Sequence, residues 1–116
     1  MGHLRTPEGS ERYHVYIAGG GLAGGCRICE AEPVKDFVHW KIVKNRFPYD
    51  KVAAIHDMIT PKRHAVEQEL SEEERAELQQ IKTTYLNATY EYLLEAVHKK
   101  KSIPSHFHLH LLVAKD

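Results

Sequence analysis

Two hydrophobic periods divide the chain. A period of two marks extended segments: Phe37–Lys44 (FVHWKIVK), Val52–Thr60 (VAAIHDMIT) and the late stretch Ser105–Leu112 (SHFHLHLL). The first two are rich in β-branched and aromatic residues, and Pro48 in the intervening NRFPYD turns the chain between them. Tyr13–Ala18 (YHVYIA) has the same composition and predicts a further short strand. A helical period marks Ser71 to Lys101, with Leu78, Ile81, Tyr85, Ala88 and Tyr92 on one stripe. Leu86, Tyr90, Leu93 and Val97 form a second stripe beside it. Ser71 and Glu74 have capping-box spacing, Glu72–Glu74 suit the positive helix end, and Lys99–Lys101 suit the negative one. Two adjacent apolar stripes exceed what one sheet face covers, so the helix is expected to meet another subunit as well.

Between these elements the chain is polar or glycine-rich. Residues 1–12 carry Pro7 and Gly9 and predict a flexible tail, leaving residues 13–116 as a single domain. The loop of Gly19, Gly20, Gly21, Gly24 and Gly25 has no Gly-Lys-Ser/Thr after it and no dinucleotide-binding spacing. It reads as a connector, not as a phosphate loop.

Composition narrows the partners. The 116 residues include sixteen Lys and Arg against sixteen Asp and Glu, so no overall basic field draws nucleic acid or an anionic membrane. A small anionic ligand held by local donors stays open. No apolar run approaches the roughly 18–20 residues that span a bilayer, and the N-terminus lacks the apolar core of a secretory signal. The expected location is the cytoplasm.

Chemistry concentrates in two clusters. Strand alternation puts His106, His108 and His110 on one face and Phe107, Leu109 and Leu111 on the other. Three neighbouring imidazoles disfavour one another's charged forms. They suit a metal site, a nucleophile with its helpers, or a polar outer face. A neutral imidazole can attack phosphorus and form a covalent intermediate, given a neighbour that fixes its tautomer and donors for the phosphoryl oxygens. Upstream, Cys26 and Cys29 stand as CRIC. A bridge across two residues closes almost no loop, and no thioredoxin-like unit surrounds the pair, so half of a metal site is the better reading. Two further ligands are then required.

The ordered set of motifs resembles the histidine triad (HIT) superfamily. HFHLHLL follows the pattern His-φ-His-φ-His-φ-φ, where φ is apolar. Ahead of it come CRIC, then WKIVKNRFPY, then HDMITPKRH, then the long helix, together covering about Cys26 to Val113. The CxxC pair resembles that of the family's zinc-carrying members.

That resemblance implies an α+β, HIT-like domain: an antiparallel sheet of about five strands with one long and one short helix. It implies that His108 attacks the α-phosphorus of a nucleotide, that His110 orients it and donates to a phosphoryl oxygen, and that His56 supports the triad from behind. Asn45 would hold ribose hydroxyls. Structural Zn2+ would be bound by Cys26, Cys29, His64 and His106. Where the family brings a Gly-Gln pair into the triad strand, this chain has Lys101–Ser105, leaving Ser102 and Ser105 as the hydroxyls near phosphate. The implied function is a nucleotide phosphoramidase, hydrolase or nucleotidyltransferase acting on a purine nucleotide through a nucleotidyl-histidine intermediate. The alternative is a zinc-stabilised nucleotide-binding module with little turnover. A third reading places a catalytic metal on the histidine strand. A homodimer through the long helix is the expected assembly.

Overall fold

The computed structural model describes residues 4–21, 25–101 and 103–116. Its centre is a five-stranded antiparallel sheet of β1 (Pro33–Asp36), β2 (Trp40–Lys44), β3 (Ala53–Pro61), β4 (Tyr92–Leu94) and β5 (Leu109–Ala114), in the order β1-β2-β3-β5-β4. With its helices this is the α+β architecture expected of a HIT-like chain.

Register explains how one sheet serves both packing and chemistry. Ile42 pairs with Ile59 and Ile59 with Leu109, whereas Val43 pairs with Met58 and Met58 with His110. Because adjacent residues alternate faces, the first set points one way and the second the other. The first face joins Trp40, Leu111 and Phe107 in the core. Trp40 is fully buried there; its indole N–H donates to Glu74 O at 2.8 Å, and its ring meets Phe107 edge-on at 6.1 Å. The second face carries the histidines.

The core is closed by α3 (Glu72–Ile81), which continues through a π turn (Lys82–Leu86) into α4 (Asn87–Thr89) as one rod. Ser71 and Glu74 form the expected capping box. Leu78, Ile81 and Leu86 enter the core beside partly buried Tyr85 and Tyr90. The rod is shorter than the helical pattern predicts. Tyr90 turns extended, and its hydroxyl donates to Asp57 Oδ2 at 2.6 Å. Tyr92–Leu94 then joins β5 as an edge strand, and His98–Lys100 is a 3-10 turn. Leu93 and Val97 are therefore not part of a helix face, and the lysine run does not cap the long helix. The broad helical surface offered as a dimer contact loses those residues.

The N-terminal region also differs from its sequence reading. Pro7–Ala18 forms α1, covering both the expected strand at Tyr13–Ala18 and part of the expected tail. Thr6 accepts from Gly9 N–H as its N-cap, and Pro7 opens the first turn, where a missing N–H costs nothing. A second, short helix, α2 (Arg27–Glu30), carries Cys29 and has Cys26 as its N-cap. None of the helices in the described residues is long and apolar enough to cross a membrane.

Candidate active site and metal centre

β5 and the extended residues before it deliver the three histidines to two adjacent sites. Phe107 N–H donates to Ala65 O at 2.7 Å, and Thr60 Oγ1 donates to Phe107 O at 2.7 Å. Phe107 is thereby pinned between the segment after β3 and β3 itself, which sets His106 toward α2 and His108 toward the open sheet face.

His106 reaches the cysteines. Its Nδ1 lies 3.4 Å from both Cys26 Sγ and Cys29 Sγ, and Cys29 Sγ lies 3.3 Å from His64 Nδ1. The four ligand atoms all fall within 4.8 Å of one another. A tetrahedral ion with bonds of about 2.0–2.3 Å sets its ligands roughly 3.3–3.8 Å apart, so the close distances fit a shared ion. Three further observations agree. His106 Nε2 lies 2.9 Å from Pro61 O, so its proton sits there and Nδ1 keeps a lone pair for a metal. Cys29 N–H donates to Cys26 Sγ at 3.4 Å, which holds that sulfur in the turn facing His106. Lys41, buried on β2, donates to Cys29 O and Ala31 O at 3.3 and 3.1 Å and ties the cysteine turn to the sheet. Cys26, Cys29, His64 and His106 could therefore bind a metal ion.

His108 and His110 open onto a cavity of about 310 Å³. His108 Nδ1 donates to His106 O at 2.9 Å, leaving the Nε2 lone pair without a hydrogen-bond partner among the described residues. Tyr49 N–H donates to His56 Nδ1 at 2.9 Å, so the His56 proton is on Nε2. That proton faces His110 Nδ1 at 2.8 Å, which places the His110 proton on Nε2. Tyr49 Oη lies 3.5 Å beyond it. Both rings are held neutral: burial, then neighbouring Arg5 and His108, lowers His56 to about 4. Burial, then neighbouring His56, His108 and Arg5, lowers His110 to about 3. Burial also lowers His108, opposed by the bond to His106 O.

Asn45 lines the same cavity, its Oδ1 accepting from Phe47 N–H at 2.8 Å and its Nδ2 lying 3.2 Å from His56 Nε2. Ser105 is exposed in the turn before the triad and does not line the cavity. Ser102 lies outside the described residues. Thus the fold brings together His108, His110, His56 and Asn45, and separately the four metal-ligand candidates, but not Ser105.

Sequence reasoning missed much of the wall. Tyr13 and Tyr16 of α1 pack on Phe47 with ring centroids at 5.4 and 4.8 Å. Arg5, Arg27, Lys44 and Arg46 line the cavity beside them, with Glu30 its one acidic residue among the described residues. Arg27 Nε is buried without a hydrogen-bond partner among the described residues. The one available signal was the Thr6-Pro7-Glu8 helix start, which brings the N-terminus into play.

A HIT family hydrolase from Clostridium thermocellum superposes on this chain with a TM-score of 0.58, at 20% sequence identity, over 79% of this chain and 92% of that one. No family model matches the chain, and no curated protein matches it in sequence. The likeness is one of architecture: this chain has the HIT fold.

Proposed function

We propose that the protein is a HIT-type nucleotide phosphoramidase, hydrolase or nucleotidyltransferase acting at the α-phosphate of a purine nucleotide. The observation that carries this reading is the protonation pattern of neighbouring rings. His108 has spent its only N–H on His106 O and lines the cavity with an Nε2 lone pair that no described residue engages, while His110 carries its N–H on Nε2 at the same cavity. One is arranged as a nucleophile and the other as a donor.

In this mechanism His108 Nε2 attacks the α-phosphorus, and the bond from phosphorus to the leaving group breaks as the Nε2–P bond forms. The leaving group departs with its electron pair and takes a proton from solvent water. Positive charge on the nucleotidylated ring is offset by the His106 carbonyl at Nδ1. His110 Nε2–H donates to a phosphoryl oxygen, its direction set by His56 and the Tyr49 amide. Water or another acceptor then attacks phosphorus and gives its proton to solvent, and the electron pair of the N–P bond returns to Nε2, restoring the neutral ring. Asn45 holds the ribose. Cys26, Cys29, His64 and His106 would hold Zn2+, which as a closed Cys2His2 set would supply no chemistry to this step and would serve to fix the strand two residues before His108.

The test is AMP release from adenosine 5′-phosphoramidate by the wild type and His108→Ala. Release is expected from the wild type and only at the uncatalysed background from the variant. AMP binding without release by the folded wild type would sink the enzymatic reading and put the zinc-stabilised binding module in its place.

A further inference from the structure

Arg5 is the most tightly placed cation of the cavity, although it precedes the first helix. Its Nε donates to Phe47 O at 2.9 Å. Its guanidinium carbon lies 4.3 Å from the centre of the Tyr13 ring and 5.0 Å from that of Tyr49, so α1 and the loop before β3 both hold it by cation–π contact. Among the described residues, its two terminal nitrogens make no hydrogen bond. Tyr49 in turn packs on His110 with centroids 5.1 Å apart, which puts the guanidinium on the His110 side of the cavity.

The residues on either side of Arg5 are clamped. Lys51 N–H donates to Leu4 O at 3.0 Å. Thr6 N–H and Oγ1 donate to the two oxygens of Asp50 at 2.7 and 3.0 Å, and Arg12 pairs with the same carboxylate at 3.3 Å. Gly9 leaves room for this contact, because a Cβ there would stand 2.7 Å from the Asp50 oxygens. An N-terminal segment anchored this closely is costly in chain entropy. What the anchoring achieves is one guanidinium lining the cavity, held by Nε and by the Tyr13 and Tyr49 rings, with its two terminal nitrogens left without hydrogen bonds among the described residues.

We propose that Arg5 is a phosphate-binding residue of the cavity, held by the Asp50 clasp so that its terminal N–H groups meet a phosphoryl oxygen beside His108 and His110. This deepens the nucleotide reading and rests on it. It also supplies charge where the approach to the triad lacks the Gly-Gln pair. Guanidinium suits the task, since its planar donors match two phosphoryl oxygens at once.

Calorimetric binding of AMP and adenosine to the full chain isolates the phosphate contribution. The wild type is expected to bind AMP at least about tenfold tighter than adenosine, as a charge-assisted hydrogen bond allows. Arg5→Gln is expected to bring that ratio to within about twofold, Arg5→Lys to restore part of it, and Arg46→Gln to lower it less than Arg5→Gln does. Asp50→Asn separates the clasp from general electrostatics. Losing a carboxylate near the cavity should favour an anion, whereas a broken clasp lowers the AMP-to-adenosine ratio, as expected here. A ratio unchanged in Arg5→Gln, or lowered equally by Arg46→Gln, overturns the proposal. If neither nucleoside compound binds, the nucleotide reading fails, and inorganic phosphate decides on Arg5 alone. Phosphate-induced shifts of the His108 and His110 ring signals that vanish in Arg5→Gln sustain it; shifts that persist, or are absent from the wild type, refute it.

Discussion

His56 Nε2 stands 2.8 Å from His110 Nδ1, and the Tyr49 amide closes off the other nitrogen of His56 at 2.9 Å. A backbone N–H cannot change its polarity. The tautomers of two side chains are therefore written into the turn between β2 and β3, and His110 presents N–H, never a lone pair, to the cavity. Removing His56 takes away a buried donor worth about 1–3 kcal/mol to its partner. His56→Ala is expected to lower turnover of adenosine phosphoramidate by roughly 5- to 160-fold, on the same scale. Nitrogen chemical shifts of His110 would show mixed tautomers in the variant and Nε2–H alone in the wild type. A single Nε2–H tautomer in both would show that something other than His56 sets it.

The same pair makes stability fall with acid. The folded-state values of His56 and His110 are lowered to about 4 and about 3, against 6.5 for an ordinary histidine. Below pH 6.5 the unfolded chain takes up protons that the folded chain refuses, so acid favours unfolding. The contribution is complete above pH 6.5 and is lost as pH falls toward 4 and then 3. The slope is at most about 1.4 kcal/mol per pH unit for each ring. Urea midpoints are expected to fall between pH 7 and pH 5, with a shallower fall in His110→Asn. Equal slopes in the two proteins would assign the acid sensitivity to other groups.

How far the sequence disclosed this arrangement depended on whether the controlling contact was local. Alternation along SHFHLHLL was enough to separate His106, His108 and His110 from Phe107, Leu109 and Leu111. The helix end was not local in this sense. Leu93 and Val97 continue the helical period and no Gly or Pro intervenes, yet Tyr90 is drawn off to Asp57 and Tyr92–Leu94 pairs with β5. At the N-terminus, the β-rich string YHVYI outweighed the Thr6-Pro7-Glu8 helix start, and the deciding partner, Asp50, lies 44 residues away from Thr6. β1 was also invisible: Pro33–Asp36 is exposed throughout and is a strand only because β2 offers it an edge.

Glu74 links the long helix to the metal-ligand candidates. Its carboxylate is buried, accepts from Ser71 N–H at 2.8 Å, and receives Arg63 through two nitrogens at 2.8 and 3.1 Å. Arg63, however, is 55% exposed, so screening leaves its share of the ion pair small. The cap and the buried acceptor dominate. Glu74→Ala is expected to cost about 1–3 kcal/mol, and Arg63→Ala less than about 1 kcal/mol in global stability. Because Arg63 precedes His64, both variants should also bind zinc more weakly, the first more so. Urea denaturation and zinc titration check the order, and an Arg63→Ala loss equal to that of Glu74→Ala would mean that the charge pair, not the cap, dominates.

Zinc removal separates a structural ion from a catalytic one. The four candidate ligands join α2, the turn after β3 and the residue that begins the triad, which are distant in sequence. An ion shared among them ties these segments in the folded state only, so stability should rise with free zinc by RT ln(1 + [Zn]/Kd), about 2.7 kcal/mol at a hundredfold excess over Kd. Chelation is therefore expected to lower Tm and AMP release together, with both restored by zinc. Cys29→Ser should reproduce the loss and resist restoration. Its thiol lies 3.3 Å from His64 Nδ1 and 3.4 Å from His106 Nδ1, so it is the candidate near both histidines. The opposite pattern, activity abolished by chelation at unchanged Tm, would require a catalytic metal on His108 and His110. That arrangement is disfavoured by the proton which His56 places on His110 Nδ1's partner nitrogen, since only displacement of that proton would expose a lone pair to the cavity.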